Sequence, residues 1–333
     1  MPGINEVAAL ARVSTATVSR ALNGKGHVSE ATRLRVQSAA WELGYVVSSN
    51  ASGLATGRTR NVGVVVPLLG RWYFSAVVEG AESALLAHGY DLTLYNLVGG
   101  RDERRSVFEH FLLRKRVDAL IAVSLDLSRE EVGHLLDLGM PVVGVGSPLP
   151  GLRTLGVDDT AMGRVATEHL IGLGHRRIAH IGGEPDSSPP SGRRLGYEAA
   201  LAVAGLPMSR ALYSTADVTL PGGYRAARVL LADARARPTA LFAASDEMAI
   251  GAILAARDLG LDVPRDVSVI GVDDHELSAF FGLSTIAQFP AEQGRRAVES
   301  LMDELQPDGR AAASSPPLRF ELVVRSSTGA CPV

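Results

Sequence analysis

Val13-Ser14-Thr15-Ala16-Thr17-Val18-Ser19-Arg20-Ala21-Leu22-Asn23 is the stretch on which the reading of this chain turns. Ser14 is placed to cap a helix, offering a side-chain oxygen to the unpaired amides of the first turn. Val18 and Leu22 fall four apart and share one face. At 100° per residue Ala16 and Arg20 point the other way, with Thr17 and Ser19 on their flanks. That outer face is small, hydroxylated and carries a single arginine. It can lie against a phosphate backbone or the floor of a major groove, where arginine makes paired hydrogen bonds to guanine. Upstream, Asn5 to Arg12 reads as a second short helix with Val7, Leu10 and Ala11 apolar. Two short helices and a tight turn make a helix-turn-helix. Spacing alone does not separate this from an ordinary amphipathic helix pair.

Val7-Ala8, the run from Val13 to Asn23, Val28-Ser29, Thr32-Arg33 and Leu43-Gly44-Tyr45 resemble the DNA-binding headpiece of the lactose/purine repressor (LacI/GalR) family. The likeness continues through nearly the whole chain. It implies that Ser14, Thr15, Ala16, Thr17, Ser19, Arg20 and Asn23 face double-stranded DNA.

Bulk properties agree. A chain of 333 residues suits two or three domains. Hydrophobic residues at 46% and charged ones at 21% supply an ordinary globular core. The single cysteine, Cys331, excludes an internal disulfide and argues against a cysteine-based metal site. The start, Met-Pro-Gly-Ile-Asn-Glu, has no basic segment followed by an apolar run. No apolar stretch approaches the roughly 20 residues of a membrane span. A cytoplasmic protein with no membrane partner is expected. The net charge of −3 hides an asymmetry: residues 1–60 carry seven Lys and Arg against three Glu, a surplus of four that leaves the remainder at −7. A basic end on an acidic body fits nucleic-acid binding confined to that end.

Ser29 caps a third helix running to Leu43, with Val36, Ala39, Ala40 and Leu43 inward and Gly44 as its stop. Residues 1–46 are thus read as a three-helix helix-turn-helix headpiece. Residues 47–60, with two glycines and few anchors, read by themselves as a linker. The resemblance makes this segment a hinge that becomes helical on operator DNA, with Asn50, Leu54 and Ala55 at the DNA and Leu54 as the wedge in the minor groove. Gly53, just before Leu54, costs a helix about 1 kcal/mol relative to alanine.

From Asn61 apolar runs alternate with amphipathic helices. Val62 to Val66, Leu92 to Leu97, Ala119 to Val123 and Val142 to Val145 form one series, with helices expected from Ser75 to His88 and Ser128 to Leu138. After Val157-Asp158-Asp159 the pattern restarts with Ile178 to Ile181, Ala240 to Ala244 and Val267 to Val272. The helices expected between them run from Ala161 to Leu173, Arg194 to Ala204 and Glu247 to Leu259. Fully apolar strands alternating with helices predict parallel sheets covered on both faces. Two such series predict an α/β protein with two doubly wound lobes and a crevice at the strands' carboxyl ends. The resemblance adds a periplasmic-binding-protein-like (type I) core crossed three times by the chain. Lobe 1 would then be about 61–159 and 290–317, and lobe 2 about 160–289 and 318–328, within a core of 61–333.

No nucleophile elbow, His-Glu-x-x-His, phosphate loop or ligand cluster occurs, and the eight histidines are scattered. Gly144-Val145-Gly146 lacks the third glycine of a dinucleotide fingerprint. No enzyme, metal or cofactor is expected. Trp72, Tyr73 and Phe74 follow the first strand and are read as loop residues that either stack on a ligand or pack at a helix start. The resemblance carries Arg193 and Asp273 over as polar contacts to a small effector, each on a loop. Ser245 stands where a sugar-binding relative has asparagine. An arginine and an aspartate from different loops suit a polyol or a ligand with both donors and acceptors. The resulting reading is a homodimeric transcriptional regulator, a repressor, that binds an inverted-repeat operator and a sugar or related metabolite. A transport receptor sharing the core fold is the alternative, and the headpiece argues against it.

Overall fold

The computed structural model describes residues 2–22, 27–45, 58–97, 101–108, 116–183, 188–305 and 318–332. They form two compact units, Met1–Arg60 and Asn61–Val333. Among the described residues no helix is long and apolar enough to cross a membrane.

The first unit holds α1 (Ile4–Ala11), α2 (Thr15–Leu22) and α3 (Glu30–Leu43). Their inward faces build a small core of Val7, Ala8, Ala11, Val18, Ala21, Val36, Ala39 and Ala40. Small residues dominate it, so the three helices approach closely. Ser14 Oγ accepts from the Thr17 amide at 3.2 Å, and Ser29 Oγ from the Thr32 amide at 3.3 Å, so both expected caps form. Gly44 ends α3 at φ 62°. Arg35 Nε donates to the Ala11 carbonyl at 2.9 Å, tying α3 to the end of α1.

The second unit contains two sheets. The first is ordered β2-β1-β3-β4-β5, from Asn61–Val66 (β1), Asp91–Asn96 (β2), Ala119–Val123 (β3), Val142–Val145 (β4) and Arg153–Leu155 (β5), all parallel. The helices α4 (Trp72–Ala87), α5 (Arg101–Ser106) and α6 (Arg129–Asp137) belong to this lobe. The second sheet is ordered β11-β10-β9-β8-β6-β7, from Ile178–Gly182 (β6), Tyr213–Thr215 (β7), Ala240–Ala243 (β8), Ser268–Asp273 (β9), Ser284–Ala287 (β10) and Glu321–Val323 (β11). Only β11 is antiparallel. The helices of this lobe are α7 (Asp159–Gly172), α8 (Ser188–Val203), α9 (Leu220–Leu231) and α10 (Asp246–Asp258). A final helix, α11 (Pro290–Leu305), packs on α4 and on the first sheet. The chain therefore leaves the first lobe after β5, returns to it after β10, and ends on β11 in the second.

Both lobes share one strand order, and each reverses between its first and third strands, at β1/β3 and β6/β8. Such switch points open a crevice at the strands' carboxyl ends. Helix pairs meet at glycines. A Cβ on Gly80 of α4 would overlap the Ala291 carbonyl of α11, and one on Gly223 of α9 would overlap the Met248 backbone of α10. That requirement explains why sequence reading passes over α9: Gly222 and Gly223 look like breakers until the partner helix is seen. β5, α5, β7 and β10 are also absent from the sequence reading, being short or weakly periodic.

Gly80→Ala is expected to lower stability by about 1–3 kcal/mol through overpacking. Gly133→Ala, on α6 with nothing within 4 Å of the added carbon, should raise it by up to about 1 kcal/mol. Denaturant melts of the two variants check the opposite signs.

Candidate functional site

The outer face of α2 presents Ser14, Thr15, Ala16 and Arg20 to solvent, with Thr17 and Ser19 half-buried and Val18 fully buried beneath. The Ser14 and Thr17 hydroxyls lie 2.9 Å apart. The face carries one cation on a low, hydroxylated surface, as a groove-reading helix needs. Asn23, Asn50, Leu54 and Ala55 lie outside the described residues.

The second site is a cavity of about 310 Å³ between the lobes, at the carboxyl ends of both sheets. From the first lobe it is lined by Arg71 to Phe74 after β1, Ser124 and Asp126 after β3, and Gly146 after β4. From the second lobe come Arg193, Ser245, Glu247, Asp273 and His275, while Asp159 and Gln288 come from the crossings. All six effector residues expected from sequence therefore meet in one cavity.

Arg193 is buried. Its Nε donates to Asp159 Oδ1 at 2.9 Å and its Nη1 to the Ala244 carbonyl at 2.5 Å. A guanidinium has five N–H donors, so capacity remains at Nη2. Asp273 is equally buried, and its Oδ1 accepts from Gln288 Nε2. The contact continues: Gln293 Nε2 donates to the Gln288 carbonyl at 2.7 Å, and the Tyr73 hydroxyl donates to Gln293 Oε1 at 2.9 Å. A chain of polar contacts thus runs from β9 in the second lobe, through the crossing, to α11 and α4 in the first. Beneath it Asp246 is fully buried and accepts from the Ser278 hydroxyl (2.6 Å), the Thr285 hydroxyl (2.7 Å) and the His275 amide (2.9 Å). These bonds fix the segment that carries His275.

Burial pushes Asp273 up to about 7, against the pull of Arg193 and with a push from Asp246. Burial likewise raises Asp246 and Asp159, the latter opposed by Arg193. Burial lowers His275, so it is neutral near pH 7. Four of the six non-glycine residues with positive φ among those described sit at this cavity or next to its lining: Ser124, Asp273, Asp274 and Phe289. Such backbone costs on the order of 1–3 kcal/mol each and gathers where a site dictates geometry.

Across the cavity the lobes already touch. Arg71 Nη1 donates to the Val218 carbonyl and pairs with Glu247 Oε2 at 2.5 Å. The Trp72 and His275 rings lie 4.9 Å apart, tilted by 37°.

Three placements differ from expectation. Trp72, Tyr73 and Phe74 are not on a loop but form the first turn of α4, which starts three residues early. The Ser75 hydroxyl donates back to the Trp72 and Arg71 carbonyls at 2.9 and 3.3 Å. Arg193 is not on a loop but inside α8, which begins at Ser188 because Pro189 and Pro190 fit the first turn, where no amide is needed. Asp273 closes β9 rather than following it. Ser245 lines the cavity, yet its Oγ caps α10 by accepting from the Met248 amide at 3.3 Å. Arg71, Asp159, Glu247, His275, Gln288 and Gln293 escape sequence reading. Asp159 has a signal in the Asp158-Asp159 pair where the alternation restarts, and Gln288 in the polar break before Phe289-Pro290. The others carry none.

Two family models match the chain: "Bacterial regulatory proteins, lacI family" over residues 3–48 and "Periplasmic binding protein-like domain" over 167–328. The chain is similar to the HTH-type transcriptional repressor CytR of Escherichia coli (strain K12), 35% identical over 99% of this chain and 97% of that one. It is also similar to the ribose operon repressor of the same strain, 35% identical over 92% and 93%. The lac repressor dimer bound to operator and the anti-inducer ONPF superposes with a TM-score of 0.87, at 28% identity over 99% of each chain.

The raised Asp273 makes a pH prediction. A carboxyl that titrates near 7 folded and near 4 unfolded holds its proton longer in the native state, so its ionisation opposes folding. Its effect on stability is absent below about pH 4, grows as pH rises towards 7, and is complete above it. Asp273→Asn should flatten this slope and raise ligand-free stability at pH 8 relative to the wild type. Denaturant melts of both proteins from pH 4 to 8 check it.

Proposed function

The chain belongs to the lacI family of bacterial regulatory proteins and is a DNA-binding transcriptional repressor with an effector-binding core, and from that premise we propose how its residues divide the work. The headpiece, residues 1–46, reads one half of an inverted-repeat operator through Ser14, Thr15, Ala16, Thr17, Ser19, Arg20 and Asn23. Two copies of the chain, acting as a homodimer in the cytoplasm, bind the two halves. Residues 47–60 are the hinge, with Asn50, Leu54 and Ala55 at the centre of the site. The inter-lobe cavity takes a sugar or related metabolite. Arg193 and Asp273 bond its polar groups, Trp72 and Phe74 cover its apolar face, and Ser245 and Tyr73 brace the walls.

The observation that carries this reading is the meeting of Arg193 and Asp273, both buried, in one cavity between two lobes, in a chain that also bears an exposed arginine on a capped headpiece helix. Buried charges with unspent donor and acceptor capacity suit a ligand that offers hydroxyls to both. The names of the relatives fit the choice of ligand class: one is a ribose operon repressor and another was captured with ONPF. A ligand that touches both lobes shifts the open–closed equilibrium by its difference in affinity for the two states.

Arg20 tests the DNA half. Inverted-repeat DNA selected from a random pool by the wild-type protein should lose preference over scrambled DNA in Arg20→Ala. The loss should be about 1–3 kcal/mol for each arginine–guanine contact, with the melting temperature of the core unchanged. Fluorescence anisotropy on the two DNAs reads it, and full retention of preference would remove Arg20 from the interface.

A further inference from the structure

We propose that Glu247 is a specificity-determining residue that makes the inter-lobe cavity reject anionic ligands, so that the regulator answers to a free polyol, as in a sugar or nucleoside, and not to its phosphorylated form. The inference rests on the reading of this cavity as the effector site.

The lining carries four carboxylates, Asp126, Asp159, Glu247 and Asp273, against two guanidiniums, Arg71 and Arg193. His275 adds no positive charge near pH 7, because burial lowers it. Glu247 and Asp159 each pair with one of these guanidiniums, and Asp273 adds a further carboxylate to the lining. The two cations are also engaged within the protein. Arg193 gives Nε to Asp159 and Nη1 to the Ala244 carbonyl. Arg71 stands at the start of α4, where it could meet a phosphate, but its Nη1 is taken by Glu247 and the Val218 carbonyl. The Arg71–Glu247 contact joins the two lobes, so the carboxylate already occupies the cation.

The helix N-termini at Asp159 and Asp246 do not reverse the balance. Asp158 caps α7 and Asp246 occupies the first turn of α10, so those two dipoles are already answered. The start of α4 has no side-chain cap and no acid in its first turn. Its effective charge of about one half is smaller than the excess it faces. A phosphate in the cavity would therefore be desolvated beside like charge. Such juxtapositions cost several kcal/mol, which corresponds to on the order of a hundredfold or more in affinity. A hydroxyl meets no such penalty, and Asp273 and Arg193 Nη2 offer it an acceptor and a donor.

The test uses the purified full-length chain and three matched pairs of probes: D-ribose and ribose 5-phosphate, D-glucose and glucose 6-phosphate, adenosine and AMP. Affinities come from isothermal titration. In whichever pair binds, the neutral member should bind at least about tenfold more tightly to the wild type. Glu247→Gln keeps the shape and a hydrogen-bond acceptor for Arg71 but removes the charge. It should narrow that gap by about tenfold or more, chiefly through tighter binding of the phosphorylated member. A residue that merely held the lobes together would change both members alike, leaving the gap as it was. An unchanged gap in Glu247→Gln, or a phosphorylated probe bound as tightly as its partner by the wild type, overturns the proposal while leaving the cavity as the effector site. Binding of no probe in either arm overturns the sugar-type reading of the cavity, and the proposal falls with it.

Discussion

The geometry of the core depends on one constraint: a guanidinium buried between the lobes has to be compensated. Arg193 sits inside α8, and removing one partner of a buried charge pair typically costs about 3–5 kcal/mol. Its partners come from separate parts of the chain: Asp159 where the chain enters the second lobe, and the Ala244 carbonyl at the end of β8. Asp273 at the end of β9 adds a further favourable charge. Satisfying one side chain therefore fixes how the first crossing, two strand ends and α8 meet. The residues that do so also line the cavity, so the packing that holds Arg193 shapes its walls.

The polar groups also offer a route for a two-state change. Asp273, Gln288, Gln293 and Tyr73 lie in sequence across the second crossing, and Phe289 between them has positive φ. Arg71 and Trp72 reach the second lobe from the first through Glu247, Val218 and His275. These inter-lobe contacts are few and partly exposed, whereas the contacts within each lobe are apolar and buried. Opening then breaks a handful of polar contacts and leaves both cores intact. A ligand that strengthens closure by even about 1.4 kcal/mol shifts the equilibrium tenfold.

Much of this was legible in the sequence. Fully apolar strands such as Val62 to Val66 read clearly because a parallel sheet covered on both faces leaves no polar alternation to confuse them. Ser14, Ser29, Ser128 and Gly44 marked helix ends through side-chain chemistry that acts over three or four residues. What failed was longer in range. Gly222 and Gly223 were invisible as helix residues because their value lies in the Met248 backbone opposite. The early start of α4 hid because Arg71 is an unremarkable N-cap. Arg193, Ser245 and Asp273 came from resemblance, and the structure brings them together. Glu247, His275 and Gln293 carry no local signal, since each matters only through a partner distant in sequence.

The central claim is that ligand in the cavity and DNA on the headpiece are energetically linked. It is tested most directly by measuring the affinity of the full-length protein for one cavity ligand with and without saturating operator DNA. Linkage requires that the factor by which DNA changes ligand affinity equal the factor by which the ligand changes DNA affinity. The account predicts two equal factors, both different from one. Identical ligand affinity in the presence and absence of operator would contradict it.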